Sequence, residues 1–210
     1  MVSRAKQFDF TGFTGLVACG GKSSRMGRDK SLLIYQEKPE VFRLYHLLEK
    51  HCKQVFVSCN GTQSAAMFDH CKTLTDLPGL TACGPMAGLL TAYHYIPGHH
   101  FIFIGCDYPY LHQAELERFT SFVSIENSPA AFYNVHENLY EPLLAYYPAT
   151  ACNRLTEMYN SNQFSLQQFL QENEARKYVP ADEKCMTSAD SHADYLKAKM
   201  YLTTAETIKK

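Results

Sequence analysis

No tryptophan occurs in the 210 residues, and no CxxC pair occurs among the eight cysteines at 19, 52, 59, 71, 83, 106, 152 and 185. The second absence removes the strongest zinc and dithiol signature. Neither sign of charge is in excess: Lys and Arg number 20 against 21 Asp and Glu, a formal net charge of −1. Nothing global therefore favours nucleic acid or an anionic membrane, and an anionic ligand must be held by local charge. No apolar run approaches the ~20 residues that a membrane-spanning helix needs. Met1 to Phe10 is mixed polar and has no apolar core, so no secretory signal is expected. Repeats, low-complexity stretches and linkers are missing as well, which predicts one domain over 1–210.

What is present is a globular composition, 46% hydrophobic and 20% charged. Several cysteines sit in apolar runs, such as Cys19 after Leu16-Val17-Ala18 and Cys106 after Phe101-Ile102-Phe103-Ile104-Gly105. A free thiol there behaves as a small buried hydrophobe. A cytoplasmic protein with reduced thiols is expected.

Short β-rich runs alternate with helical patterns, the signature of an α/β fold. Strands are expected over 13–19, 54–59, 72–75, 101–105, 130–134, 141–147 and 177–179, with 130–134 and 141–147 pairing as a hairpin. Helices are expected over 40–51, 63–69, 86–95, 113–123, 149–159, 166–172 and from 193. Phe101 to Gly105 is continuously apolar, as a central strand buried on both faces should be. His99-His100 reads as an exposed turn before it.

The stretch after the first strand is Gly20-Gly21-Lys22-Ser23-Ser24-Arg25-Met26-Gly27-Arg28-Asp29-Lys30. Its glycines let backbone approach a ligand closely, and bare N–H groups in such loops cradle phosphate oxygens. Lys22, Arg25, Arg28 and Lys30 concentrate positive charge in an otherwise neutral chain. The alternative is a solvated loop with scattered charge. It is no Walker A loop, because Leu16 stands where that pattern needs Gly, and no GxGxxG is present. Asp76, at the end of the third strand, reads by itself as a turn or N-cap residue, and Asn60, at the end of the second, as a ligand-facing polar residue or a turn residue. Gly84-Pro85-Met86-Ala87-Gly88 reads as a helix start whose glycines admit either a ligand or the neighbouring sheet. Asp107, after the central strand, is a carboxylate whose burial a cation would relieve; a turn before Pro109 is the alternative.

Ala18-Cys19-Gly20-Gly21-Lys22-Ser23-Ser24-Arg25-Met26-Gly27-Arg28-Asp29-Lys30 resembles the L-A-G-G-x-S-x-R-M-G-x-D-K signature of the molybdenum cofactor guanylyltransferases. Gly84–Gly88 resembles their G-P-L-A-G, Cys106-Asp107-Tyr108-Pro109 their C-D-x-P, and Glu141-Pro142-Leu143-Leu144-Ala145-Tyr146-Tyr147 their E-P-L-x-A-x-Y. The resemblance runs over about 14–200. It implies a three-layer α/β/α Rossmann-like nucleotidyltransferase fold, mostly parallel, with an antiparallel strand in the second half. It also implies transfer of GMP from GTP to the terminal phosphate of molybdopterin, with Mg²⁺ as cofactor, and transient contact with other cofactor-biosynthesis proteins or acceptor enzymes.

Carried over residue by residue, Ala18, Cys19, Gly20, Gly21, Asn60, Asp76, Gly84 and Pro85 contact the nucleotide. Arg25 and Lys30 steady the phosphates and the charge that develops on them. Asp107 binds metal and nucleotide, and Glu141 lies on the pterin side, as a substrate contact or as half-buried strand. The family's N-x-N-T-P segment corresponds to Ser188-Ala189-Asp190-Ser191-His192, which puts Asp190 at the metal or at a helix cap. Gly20 and the Gly84–Gly88 match favour guanine over cytosine. Transfer from CTP to molybdopterin, transfer to a sugar phosphate, and a GTP-binding assembly protein without catalysis remain as alternatives.

Overall fold

The computed structural model describes residues 12–19, 30–60, 68, 70–80, 83–123 and 127–208. Its first half builds four parallel strands: β1 (Phe13–Ala18), β2 (Gln54–Cys59), β3 (Thr73–Thr75) and β4 (His100–Gly105). Leu16 lies opposite Phe56 of β2 on one side and Phe103 of β4 on the other. Helices α1 (Glu40–Glu49), α2 (Pro85–Tyr95) and α3 (Gln113–Phe122) intervene or follow. The second half adds β5 (Ala130–Asn134), β6 (Leu139–Tyr147), α4 (Ala151–Asn160), α5 (Leu166–Glu172), β7 (Arg176–Tyr178) and α6 (His192–Ile208). Among the described residues one mixed sheet runs β3-β2-β1-β4-β6-β5-β7, with β6 antiparallel to both neighbours.

Alternation along the strands sorts the core into two layers. Ile102 and Ile104 of β4 face Val41, Leu44 and Leu48 of α1 and Leu116 and Phe119 of α3. Phe101 and Phe103 face Met86, Leu89 and Tyr93 of α2, Leu155 of α4 and Phe169 of α5. The three-layer fold that the sequence predicts is therefore observed, and β4 is buried on both faces. Element bounds fall within two residues of those expected, and the 130–134/141–147 hairpin forms. The helix expected over 63–69 lies outside the described residues except for Phe68.

One expectation is corrected. His99 and His100 do not make an exposed turn. His100 opens β4, its Nδ1 lies 2.7 Å from the Tyr146 hydroxyl, and the two rings stack at 5.9 Å. His99 Nδ1 lies 2.8 Å from the Thr14 hydroxyl. Pairing of β4 with β1 and β6 draws both imidazoles against strand partners that satisfy a ring nitrogen each.

Two features place the site. The β5–β6 register shifts, so that Ala131 lies opposite Ala145 while Phe132 lies opposite Glu141. Pro142 sits in the skipped stretch, where its missing N–H costs no ladder bond. The second feature is α6, which packs over residues 33–35. The Tyr195 ring lies 5.3 Å from that of Tyr35, and its hydroxyl donates to the Ile34 carbonyl at 3.1 Å. Among the described residues no helix is long and apolar enough to cross a membrane.

Candidate active site

Because β1 to β4 are parallel, the residues that follow them share one edge of the sheet. Cys19, Asn60, Asp76 and Asp107 all lie there, and backbone bonds continue the ladder past the strand ends. The Cys19 N–H donates to the Ser58 carbonyl at 2.9 Å, Cys106 to Ala18 at 3.0 Å, and Asp76 to Cys59 at 3.0 Å. From β1 the chain builds toward β2 and β3, then returns to place β4 on the other side of β1. That reversal leaves a crevice at the carboxyl ends, where open α/β sheets take ligands. Gly20, Gly21 and Arg25 lie outside the described residues, as do Lys22 and Arg28.

Lys30 begins a short 3₁₀ turn, Lys30–Leu32, and points at two carboxylates. Its Nζ donates to Asp190 Oδ1 at 2.6 Å and lies 4.0 Å from Asp107 Oδ2. Asp190 Oδ2 accepts from the Ser188 hydroxyl at 2.7 Å. The Ala189 N–H donates to the Asp107 carbonyl at 2.9 Å, which ties the late segment to the β4 loop. Lys30, Asp107 and Asp190 are thus brought together from far-separated parts of the chain.

Asp107 Oδ1 is buried and has no hydrogen-bond partner. Burial raises the Asp107 pKa, Lys30 counteracts that, and Asp190 adds to it. Gly105 makes the room: a Cβ there would lie 2.7 Å from Asp107 Oδ1 and 3.1 Å from Leu143 Cβ. A buried carboxylate oxygen left unsatisfied is costly, and a hard divalent cation is a fitting partner for it. Among the described residues no group of three or more His, Cys, Asp or Glu converges on a metal position. This donor set fits Mg²⁺, which is held through one or two carboxylates with water and substrate phosphates completing its shell.

Asp76 shows the same signature on the other side of β1. Its Oδ1 is buried without a partner, and burial pushes its carboxyl up to about 6 from an ordinary 3.8. The unfolded chain releases this proton near pH 4 and the folded chain near 6, so the stabilisation from the protonated form is lost as pH rises across that window. Asp76→Asn stays neutral throughout. Its melting temperature without ligand should rise relative to wild type between pH 4 and 6 and hold the difference above 6. A difference independent of pH would show that Asp76 is not desolvated.

Gly84 caps α2 with φ 58° and ψ −140°, a conformation left essentially to glycine, and Pro85 supplies the first helical residue. A Cβ on Gly84 would meet nothing within 4 Å, so its glycine serves the backbone turn. Gly88 differs: a Cβ there would lie 2.2 Å from Ser58 Oγ, so its glycine serves the close helix–sheet contact, and a side chain would force Ser58 to turn.

Glu141 stands on the β6 side. Its Oε2 accepts from the Tyr108 hydroxyl at 2.9 Å, and burial raises its pKa. It lines a cleft of about 690 Å³ with Asn134, His136, Glu183, Lys184 and Ser188, beside the Asp107–Asp190 pair. A smaller cavity of about 360 Å³ lies along α1 by Lys38, His46 and Lys50, and none of its lining comes from a strand end.

Residues 15–177 match the family model described as the MobA-like NTP transferase domain. The chain belongs to this family. The edge that carries Lys30 and Asp107 is the strand-end edge of this MobA-like NTP transferase domain. A molybdenum cofactor biosynthesis bifunctional protein of Synechocystis is 34% identical over 147 residues, 70% of this chain and 42% of that protein. The chain thus spans less than half the length of that relative. A molybdenum cofactor guanylyltransferase of Pseudomonas putida is 28% identical over 82% of this chain and 90% of its own. The fold matches the Archaeoglobus fulgidus molybdopterin-guanine dinucleotide biosynthesis protein A with a TM-score of 0.71 and 17% identity, over 91% of this chain and 100% of that one.

Four further residues shape this MobA-like site, and the sequence alone assigns none of them a role. Tyr108 holds Glu141, the Ala189 backbone holds Asp107, and Glu40 with Arg43 buttresses the β4 loop. Tyr108 follows Asp107 directly, which is the one signal that could have drawn notice to it.

Proposed function

We propose that the chain transfers GMP from GTP to the terminal phosphate of molybdopterin, releasing pyrophosphate. The observation that carries this reading is Asp107, a buried carboxylate with an orphaned oxygen, facing Lys30 at the end of a central parallel strand. The names of the relatives support the choice of substrates. One apolar core layer on each face of a single sheet supports treating the chain as one domain.

In this reading the acceptor phosphate, already anionic at neutral pH, forms the new P–O bond to the α-phosphorus. The bond to the β-phosphate oxygen breaks, and pyrophosphate leaves with the electron pair. No strong general base is needed, so positioning and charge neutralisation carry the catalysis. Asp107, with Asp190 beside it, would hold Mg²⁺, which when bound supplies Lewis acidity at the phosphate oxygens. Lys30 would move from Asp190 to the phosphates, because a triphosphate offers more negative charge than one carboxylate. Arg25 would act with it. Gly20, Gly21, Ala18 and Cys19 would follow the phosphates, while Asn60, Asp76, Gly84 and Pro85 would border the nucleoside. The cleft at Glu141 would receive the pterin. Buried free thiols at Cys59, Cys83, Cys106 and Cys185 agree with a reducing cytoplasm.

The test is single turnover with molybdenum-loaded molybdopterin, Mg²⁺ and either GTP or CTP, with the product identified by mass. A guanine dinucleotide from GTP alone is expected. Product from CTP would overturn the base assignment, and GTP binding without product would make the chain a binding protein.

A further inference from the structure

The loop that carries Asp107 is gripped from α1. Glu40, in the first turn of α1, is completely buried. Both of its carboxylate oxygens accept from Arg43, Oε1 from Nη2 at 2.5 Å and Oε2 from Nε at 2.7 Å. A surface pair at this helical spacing contributes little to stability. A buried pair is weak evidence for stability, because desolvation offsets the attraction. The remaining donors of the guanidinium show another use. Nη1 donates to the Leu111 carbonyl at 2.7 Å and Nη2 to the Tyr108 carbonyl at 3.3 Å.

These two carbonyls belong to the turn after Asp107, which the Leu111 N–H closes by donating to the Tyr108 carbonyl at 3.1 Å. The Asp107 carbonyl, one residue earlier, accepts from the Ala189 N–H of the late segment. The backbone around Asp107 is therefore held by two separate segments of the chain. The carboxylate has little slack, since Gly105 leaves it no more space than a missing Cβ. Metal ligands tolerate errors of only about 0.2 Å, so a loop that relaxed would lose affinity before it lost its fold.

We infer that Arg43, braced by Glu40, is a positioning residue that fixes the turn Tyr108–Leu111 and through it the Asp107 carboxylate. The inference rests on the proposed role of Asp107 as the metal-binding carboxylate. Only a planar, forked cation reaches one carboxylate and two carbonyls together; an ammonium on a flexible stem cannot.

Mn²⁺ binding in the presence of GTP, read by electron paramagnetic resonance beside the melting temperature, tests this. The proteins are wild type, Asp107→Ala, Arg43→Lys and the double variant Glu40→Gln/Arg43→Met, which leaves no charge buried alone. Arg43→Lys and the double variant should each melt within a few degrees of wild type and bind Mn²⁺ about tenfold more weakly, the usual cost of losing an outer-shell partner. Binding within about twofold of wild type in both variants overturns the inference. So does weaker binding that only tracks a fall in melting temperature, which would make the pair a structural brace. Wild type binding no more Mn²⁺ than Asp107→Ala would remove the assignment of Asp107, and the inference with it.

Discussion

Asp107→Ala should lower the proposed guanylyl transfer about 10³-fold, close to 4 kcal/mol of transition-state stabilisation, and leave the sheet standing. The two effects separate because of where the orphaned oxygen lies. Oδ1 is buried without a partner, so the metal-free fold bears the cost of its desolvation. Removing the carboxylate removes that cost. The melting temperature without divalent ion should therefore equal or exceed that of wild type while turnover collapses. Such opposition between stability and activity is the mark of a group kept for function. Turnover within a few-fold of wild type would sink the assignment.

Lys30→Ala should fail in the other way. Turnover should fall about 10²- to 10³-fold, as it does when one positioned donor is taken from developing charge. Stability should fall too, because Asp107 and Asp190 then face each other with their shared cation gone. Added Mg²⁺ should restore much of the melting temperature, since a divalent ion neutralises the same carboxylates, yet it should not restore turnover. Steady-state rates and melting curves with and without Mg²⁺ decide the matter. A loss confined to melting temperature would make Lys30 structural.

The sheet was legible because its signals are local. Short β-rich apolar runs and a continuously apolar β4 define strands, and once the strands stand the core faces follow from alternation. The parallel order then places Cys19, Asn60, Asp76 and Asp107 on one edge. Two of these, Cys19 and Asp107, fall in the segments that resemble the family's motifs. What stayed hidden is tertiary. Nothing local to Glu40 says that an acidic residue at a helix start is wholly buried, or that Arg43 reaches carbonyls more than sixty residues away. His99 and His100 misled because their partners, Thr14 and Tyr146, are remote in sequence. The Gly84–Gly88 match was ambiguous for a related reason: only coordinates separate a glycine needed for a backbone turn from one needed for close contact with Ser58.

The Lys30–Asp190 contact joins residues 160 apart. Every pairing in the sheet is complete by Tyr178, and none of the ladder needs this contact. Bringing the ends of so long a segment together is entropically more demanding than closing a hairpin, and contacts of high sequence separation are rewarded only after that closure. The last stretch of the chain adds Asp190 to a sheet whose pairings do not include it. The carboxylate pair that Lys30 faces is therefore assembled by the fold as a whole and by no local segment of the chain.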